Sequence, residues 1–436
     1  MTFRAKSNMK SMMQMLRDLT PLNRAVCARG YDETVSYLLE VLPFQVIRFP
    51  EGTQHNGWAI PPSWDVIEAS ISRDGKVVYD GMTHPVAVIG LSSEFKGTVS
   101  LEELRKHLHY DHRNPDSIPF HYRQFFRSWE RDWGLCLPKR VYDELTPGNY
   151  DVLIRTEEAP GEMKVLEYVH RGTSPYTILL GGNLDHAGVA NDGLAGCVVG
   201  IEVLRRLAGR KTRLSYSLHL SPGILGPELY LGKMDPSSRN QILEGYFLEM
   251  LGSDTKFAVQ ESRSPMATTA HALKSSLDKL GMSYRTGPFE TIIVNDEYIF
   301  ENYGIPMVSF SRFPYPQYHS HFDSAEIMRE DRLEEAVSAL LGAIDILESS
   351  PIVKKRFYGN VCLSNPKYDL YVDYGQIALG DSLTEHKRKM RHLMDFIPAL
   401  ERPISVRALA DHMGLPEPDV LEYLRRWADK GLVELS

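Results

Sequence analysis

Two stretches of the chain carry residues that suit a divalent metal. The first is Gly181-Gly182-Asn183-Leu184-Asp185-His186, followed by Ala190-Asn191-Asp192-Gly193-Leu194-Ala195-Gly196. The second is Asn295-Asp296-Glu297, then Gly304-Ile305-Pro306 and Tyr318-His319-Ser320-His321-Phe322-Asp323. Carboxylates and neutral imidazoles bind zinc, manganese or magnesium, and an Asp on a loop can bridge two ions. Asp192, Asp296 and His319 are the leading candidate ligands, and His186 is a further one. Each has a plainer alternative. Asn191-Asp192-Gly193 also suits a turn followed by a helix cap, and His319 and His186 suit hydrogen-bonded loop positions. Both stretches in one chain favour the ligand reading. His319 has Asp323 or a backbone carbonyl as the expected partner of its second nitrogen; His321 reads as a loop residue.

These side chains need a scaffold that brings them to one place. From about 150 to 350 the pattern alternates strand and helix. Tyr176 to Gly181, Leu214 to Leu220 and Met307 to Phe310 read as strands, and Gly196 to Leu207, Ala267 to Leu280 and Leu333 to Leu347 as helices. That alternation predicts a mostly parallel sheet covered by helices, with ligands gathered at the carboxyl ends of the strands. Residues 7 to 45 have helical spacing and belong with this α/β domain (1–45 and 150–350). Residues 46–149 read as an inserted β-rich domain, with short strands at Val46 to Phe49, Val66 to Ile71 and Val77 to Asp80. This block holds Trp58, Trp64, Trp129 and Trp133, and its Phe120-His121-Tyr122-Arg123 suits either a substrate wall or the core of the insertion. His107, His109 and His112 are expected on a solvated helix end. Residues 351–384 read as a connector, and 385–436 as helix, turn, helix and closing strand, the winged-helix pattern.

Composition sets outer limits. The chain has 436 residues, 43% hydrophobic and 24% charged, which is ordinary for globular domains with real cores. Its net charge of −8 argues against a general nucleic-acid binder and an anionic membrane surface. In the C-terminal block, Glu417, Asp419, Glu422 and Asp429 outnumber Arg425, Arg426 and Lys430, which argues against phosphate contacts. Cys27, Cys136, Cys197 and Cys362 are far apart and suit buried free thiols in a reducing cytoplasm. The basic start Met1-Thr2-Phe3-Arg4-Ala5-Lys6 has no apolar run after it, so a soluble cytoplasmic protein is expected, with no membrane partner.

Asp296 with Phe300 and Gly304-Ile305-Pro306, then Tyr318-His319 and Asp323, resembles the metal-binding end of the co-catalytic zinc aminopeptidases and glutaminyl cyclases. The whole chain resembles a family of aminopeptidase-like proteins with an inserted β-domain and a C-terminal winged helix. Trp58-x-x-Pro61-Pro62-x-Trp64, Trp133-Gly134-Leu135-Cys136 and Ala190 to Gly196 carry that likeness. The resemblance implies a three-layer zinc-aminopeptidase-like α/β fold, one or two zinc ions, and a small or short peptide-like substrate; a homo-oligomer is also expected. It also exposes departures. Asn183 stands where the family's first ligand His is expected. Gly223 and Ile224, in Pro222-Gly223-Ile224-Leu225-Gly226-Pro227-Glu228, stand where a Glu pair supplies base and ligand. A missing base forfeits about 10²- to 10⁴-fold in rate, so Glu228 and Glu297 are the substitute candidates. Asp185, Tyr122, Arg123 and Tyr318 are the expected substrate contacts. The resulting expectation is a metal-dependent hydrolase of an amide or peptide bond with an altered metal site. A non-catalytic ligand- or partner-binding protein is the alternative, as is an acyl-transfer or cyclisation enzyme on the same scaffold.

Overall fold

The computed structural model describes residues 10–373 and 384–436. The basic start at Met1 to Lys6 and part of the expected connector lie outside the described residues. The core is an eight-stranded mixed sheet. Its centre is the parallel set Ser215–Ser221, Thr177–Asn183, Ile242–Leu248 and Met307–Ser311. Gln45–Pro50 and Glu162–His170 extend one side antiparallel, and Phe257–Gln260 with Tyr284–Gly287 extend the other. The parallel strands are buried along nearly their whole length because both faces are covered. Ile178 and Leu180 point into the layer holding helices Gly196–Leu207, Thr269–Lys279 and Glu330–Glu348. Leu179 points the other way, with Phe247 and Met307, against helices Leu225–Lys233 and Glu297–Asn302. This is a three-layer α/β sandwich, and its period-2 alternation of Leu and Ile along one strand is what joins the two helix layers.

A second, four-stranded antiparallel sheet runs Lys76–Asp80, Ser63–Arg73, Asn149–Ala159, Phe95–Ser100. It packs Trp64, Ile71, Tyr79, Tyr150 and Val152 into a core of its own. Two edges differ from the expected division. Gln45–Pro50, the first strand-like run of the expected insertion, pairs with Glu162–His170 in the central sheet and buries Phe49 there. Asn149–Ala159, expected to open the α/β part, is a central strand of the second sheet. The C-terminal residues form helices Glu385–Phe396, Val406–Met413 and Glu417–Asp429 around Trp427, Leu409 and Leu424. They share a three-stranded sheet whose middle strand, Ile352–Lys355, falls in the stretch read as a connector. No helix among the described residues is long and apolar enough to cross a membrane.

Candidate metal centre

The four parallel strands deliver polar residues to one rim, as open α/β sheets do. Thr177–Asn183 leads into Asp185 and His186, and Ser215–Ser221 into Gly223 and Ile224. Ile242–Leu248 leads into Glu249, and Met307–Ser311 into the loop bearing His319. Asn191-Asp192 is placed by backbone geometry. Gly193 has φ +80°, where a Cβ would meet the Asn183 carbonyl at 2.5 Å, so only glycine fits this turn. A Cβ on Gly196 would lie 1.9 Å from the Leu248 carbonyl, so this glycine lets the following helix start against the strand end.

His186, Asp192 and His319 form one cluster whose ligand atoms lie within 4.8 Å of one another. Asp192 Oδ2 is 3.0 Å from His319 Nε2 and 3.6 Å from His186 Nε2, yet it accepts no well-aligned hydrogen bond. Burial works to raise the Asp192 pKa, and the two imidazoles outweigh it and hold it below its ordinary value. For His186 burial disfavours the charged form, but Asp192 and Asp185 prevail and raise its pKa to about 9.

Asp323 acts differently from the sequence expectation. Its carboxylate does not hold the His319 ring. Oδ1 accepts from the Asn191 amide at 2.6 Å, and Oδ2 from the Asp192 amide at 3.0 Å and the Tyr315 hydroxyl at 2.6 Å. Asp323 therefore fixes the backbone that carries Asp192. Arg24 fixes the other side of the same loop. It is fully buried and donates to the carbonyls of Leu184 (3.2 Å), His186 and Val189 (2.6 Å), and to Leu19. Burial pulls its pKa down to about 10, which leaves it charged at neutral pH.

Asp296 stands beside this cluster and not within it. Both its oxygens accept from the Ile224 amide, at 3.0 and 2.9 Å, and burial lifts its pKa to about 7. Asp185 likewise accepts from the Gly223 amide at 3.0 Å, and its Oδ1 lies 3.3 Å from His186 Nδ1. The main chain of Gly223-Ile224 thus grips two carboxylates where the resemblance expects two glutamate side chains. Glu297 is fully buried; Oε1 accepts from Gln260 at 2.7 Å, Oε2 has no hydrogen-bond partner among the described residues, and burial raises its pKa to about 8. Glu228 points elsewhere, accepting from Asn56 at 3.0 Å and Tyr303 at 3.1 Å. It lies in the first turn of helix Leu225–Lys233, and the histidine it approaches is His55, at 3.8 Å, not one of the cluster.

One residue escaped the sequence analysis. Glu249 is fully buried, its Oε2 has no hydrogen-bond partner among the described residues, and Asn295 donates to its Oε1. Burial, then Glu297 and Asp192, push its pKa well up. It follows the strand Ile242–Leu248, whose interrupted apolar run hides this strand end in the sequence. Asp192, whose Oδ2 lies between the His186 and His319 imidazoles, makes with them a donor set that fits a divalent cation.

A segment between two strands of the second sheet, residues 118–122, packs against the site. The Phe120 amide donates to the His319 carbonyl at 3.0 Å, and the His321 amide to the Ile118 carbonyl at 3.0 Å. Tyr318 stacks on His319 with ring centres 3.9 Å apart, and Tyr122 meets the same ring edge-on at 5.2 Å. Arg123 lines a cavity next to Ile224. Trp133 is core, packed between Phe95 and His107. His107 and His109 are therefore half-buried: His107 stacks on Trp133, and His109 faces His121 at 4.4 Å. Only His112 of that run is exposed.

Residues 13–350 match a family described as a domain of unknown function, DUF4910. The chain belongs to the DUF4910 family. A Clostridium acetobutylicum relative is 25% identical over 81% of this chain and 79% of its own length. Its provisional name is a polysaccharide biosynthesis protein with an aminopeptidase-like domain. A crystal structure of a provisionally named peptidase from C. acetobutylicum superposes with a TM-score of 0.72 at 20% identity, covering 98% of this chain and 96% of that one. The zinc aminopeptidase of Bacillus subtilis superposes with a TM-score of 0.58 at 13% identity, covering 77% and 93%. The DUF4910 chain thus has the zinc-aminopeptidase fold.

Proposed function

We propose that this DUF4910 protein is a metal-dependent hydrolase that cleaves an amide or peptide bond of a small substrate, with an altered metal centre. The observation that carries this reading is the convergence of His186, Asp192 and His319 around an Asp192 oxygen with no well-aligned donor. In this reading these three residues hold a zinc ion, and Glu249 stands ready as a further ligand. Bound zinc supplies Lewis acidity for the carbonyl and lowers the pKa of a water molecule. The chain supplies the rest. Glu297, with its free oxygen and a pKa near 8, is the residue that takes and returns a proton. Glu228 is set aside, because it is bound to Asn56 and Tyr303. Tyr318 and Tyr122 flank His319 and exclude water from one side of the site. The division into a hydrolase-like domain, an insertion and a C-terminal winged helix is part of the same proposal. The name of the Clostridium relative adds a substrate direction, an amide on a sugar unit.

The replacement of the Glu pair by Gly223 and Ile224 favours a second reading, a non-catalytic protein that binds a ligand at this rim. Hydrolysis of a panel of amino-acid p-nitroanilides and N-acetylated sugars separates the two. The hydrolase reading expects turnover that stops with a chelator, returns with zinc, and is absent in Asp192→Asn. Zinc-loaded protein that turns over none of the panel supports the binding reading. Turnover indifferent to chelator refutes the metal mechanism.

A further inference from the structure

A cavity of about 560 Å³ opens beside the candidate centre, where the hairpin around Asn56 and the second sheet's loop meet Ile224. Its size is that of a small-molecule site. Trp58, Phe126 and Trp129 supply aromatic walls, and Arg123 and Arg127 supply charge. Trp129 is 64% exposed, which is costly for a residue of its area with no partner to cover it. The Arg123 guanidinium has no hydrogen bond, ion pair or ring contact among the described residues, although the chain carries a net charge of −8. Among the described residues the Arg127 guanidinium reaches only Glu130, at 3.4 Å and in solvent.

Two lines of contact link the cavity wall to the metal-ligand cluster and its surroundings. Ile224, on its wall, is the residue whose amide holds Asp296. A run of ring contacts also leads out from the cluster. His319 meets Tyr122 at 5.2 Å, Tyr122 meets Phe126 at 6.0 Å, and Phe126 meets Trp58 at 6.3 Å. A substrate with its amide at His319 would reach the two arginines by lying along these rings.

Resting on the hydrolase reading above, we propose that this cavity is the specificity pocket and selects substrates whose distal part joins a ring or apolar body to an anionic group. The aromatic walls take the body, and Arg123, with Arg127, takes the anion by charge-assisted hydrogen bonds.

The test uses benzoylglycine (hippurate), which has a ring and a carboxylate, and its neutral amide as probes. Calorimetric titration of both into the purified protein, with zinc content measured on the same samples, is compared across wild type, R123Q and R123Q/R127Q. Wild type is expected to bind hippurate about tenfold more tightly than the amide, a 1.4 kcal/mol preference. R123Q/R127Q is expected to lose that preference at unchanged zinc content and unchanged affinity for the amide. Equal affinities in wild type overturn the proposal. So does a preference that survives in R123Q/R127Q, because the carboxylate is then held by another group, the metal included. Protein without zinc that still shows an arginine-dependent preference removes the hydrolase reading and keeps the pocket. Protein with zinc and no preference does the reverse.

Discussion

Arg24→Met is the most informative single change outside the ligands themselves. Arg24 is fully buried and donates to the Leu19, Leu184, His186 and Val189 carbonyls, so the loop bearing His186 is pinned by one cation. Methionine keeps most of the apolar stem and removes every donor. Hydrogen bonds to a charged group contribute about 1.5–3 kcal/mol each. A plain sum over the carbonyls overshoots, because the loop relaxes and water enters the vacated space. Removing one partner from a buried charged network costs about 3–5 kcal/mol, and that is the expected loss of stability. Metal affinity is expected to fall about 10- to 100-fold, the usual effect of removing a group that orients a ligand. Arg24→Lys, with one nitrogen in place of a fork, lies between. Urea unfolding with and without zinc measures the first effect, and competition against a fluorescent zinc chelator the second. A stability loss under about 1 kcal/mol with unchanged zinc affinity refutes the clamp, since that is the range of an ordinary surface change.

Three further changes read other parts of the site. Glu249→Gln removes a buried carboxyl whose ionised form is disfavoured by burial, Glu297 and Asp192. It should leave metal-free protein as stable or more stable at pH 8 while weakening zinc binding; stronger zinc binding in the variant counts against Glu249 facing the ion. Asp323→Ala should cost about 3–5 kcal/mol, because three donors lose a buried acceptor, and thermal unfolding with no shift contradicts its role in holding Asp192. Burial lowers the pKa of His84 to about 4, with His321 adding to it, and that of His109 to about 4, with His121 adding to it. A base depressed on folding contributes stability above its unfolded pKa, about 6.5, and loses it as pH falls towards 4. Unfolding midpoints should therefore drop between pH 7 and pH 5, by less in a His84→Gln/His109→Gln variant; parallel pH curves for the two proteins would argue that these rings titrate alike in both states.

Much of the fold was legible because its signals are local. The Gly196–Leu207 and Glu330–Glu348 helices carry unbroken apolar periodicity, and the strands at Thr177 and Met307 are short apolar runs beside glycine or proline. Ile242–Leu248 was not legible, because Glu244, Gly245 and Tyr246 interrupt its apolar run. Glu244 is buried only because Thr268 and Thr269 donate to it from a helix far along the chain. With that strand unseen, Glu249 stayed hidden. His186, Asp192 and His319 were legible as ligand types, and their meeting followed from the strand-end rule. The use of Asp323 was not, since backbone acceptance by a carboxylate across 131 or 132 residues leaves no trace in spacing. The boundary at Gln45–Pro50 was missed for a related reason: an edge strand of either sheet has the same local pattern, and only its partner decides which sheet it joins.

Zinc stoichiometry bears most directly on the central claim. The purified chain is incubated with zinc, dialysed against metal-free buffer and assayed by elemental analysis beside Asp192→Asn and His319→Ala. About one ion retained per wild-type chain, and essentially none in either variant, is the outcome that three convergent ligands require. Wild-type protein that retains no zinc, or variants that retain as much as wild type, contradict a metal centre at His186, Asp192 and His319.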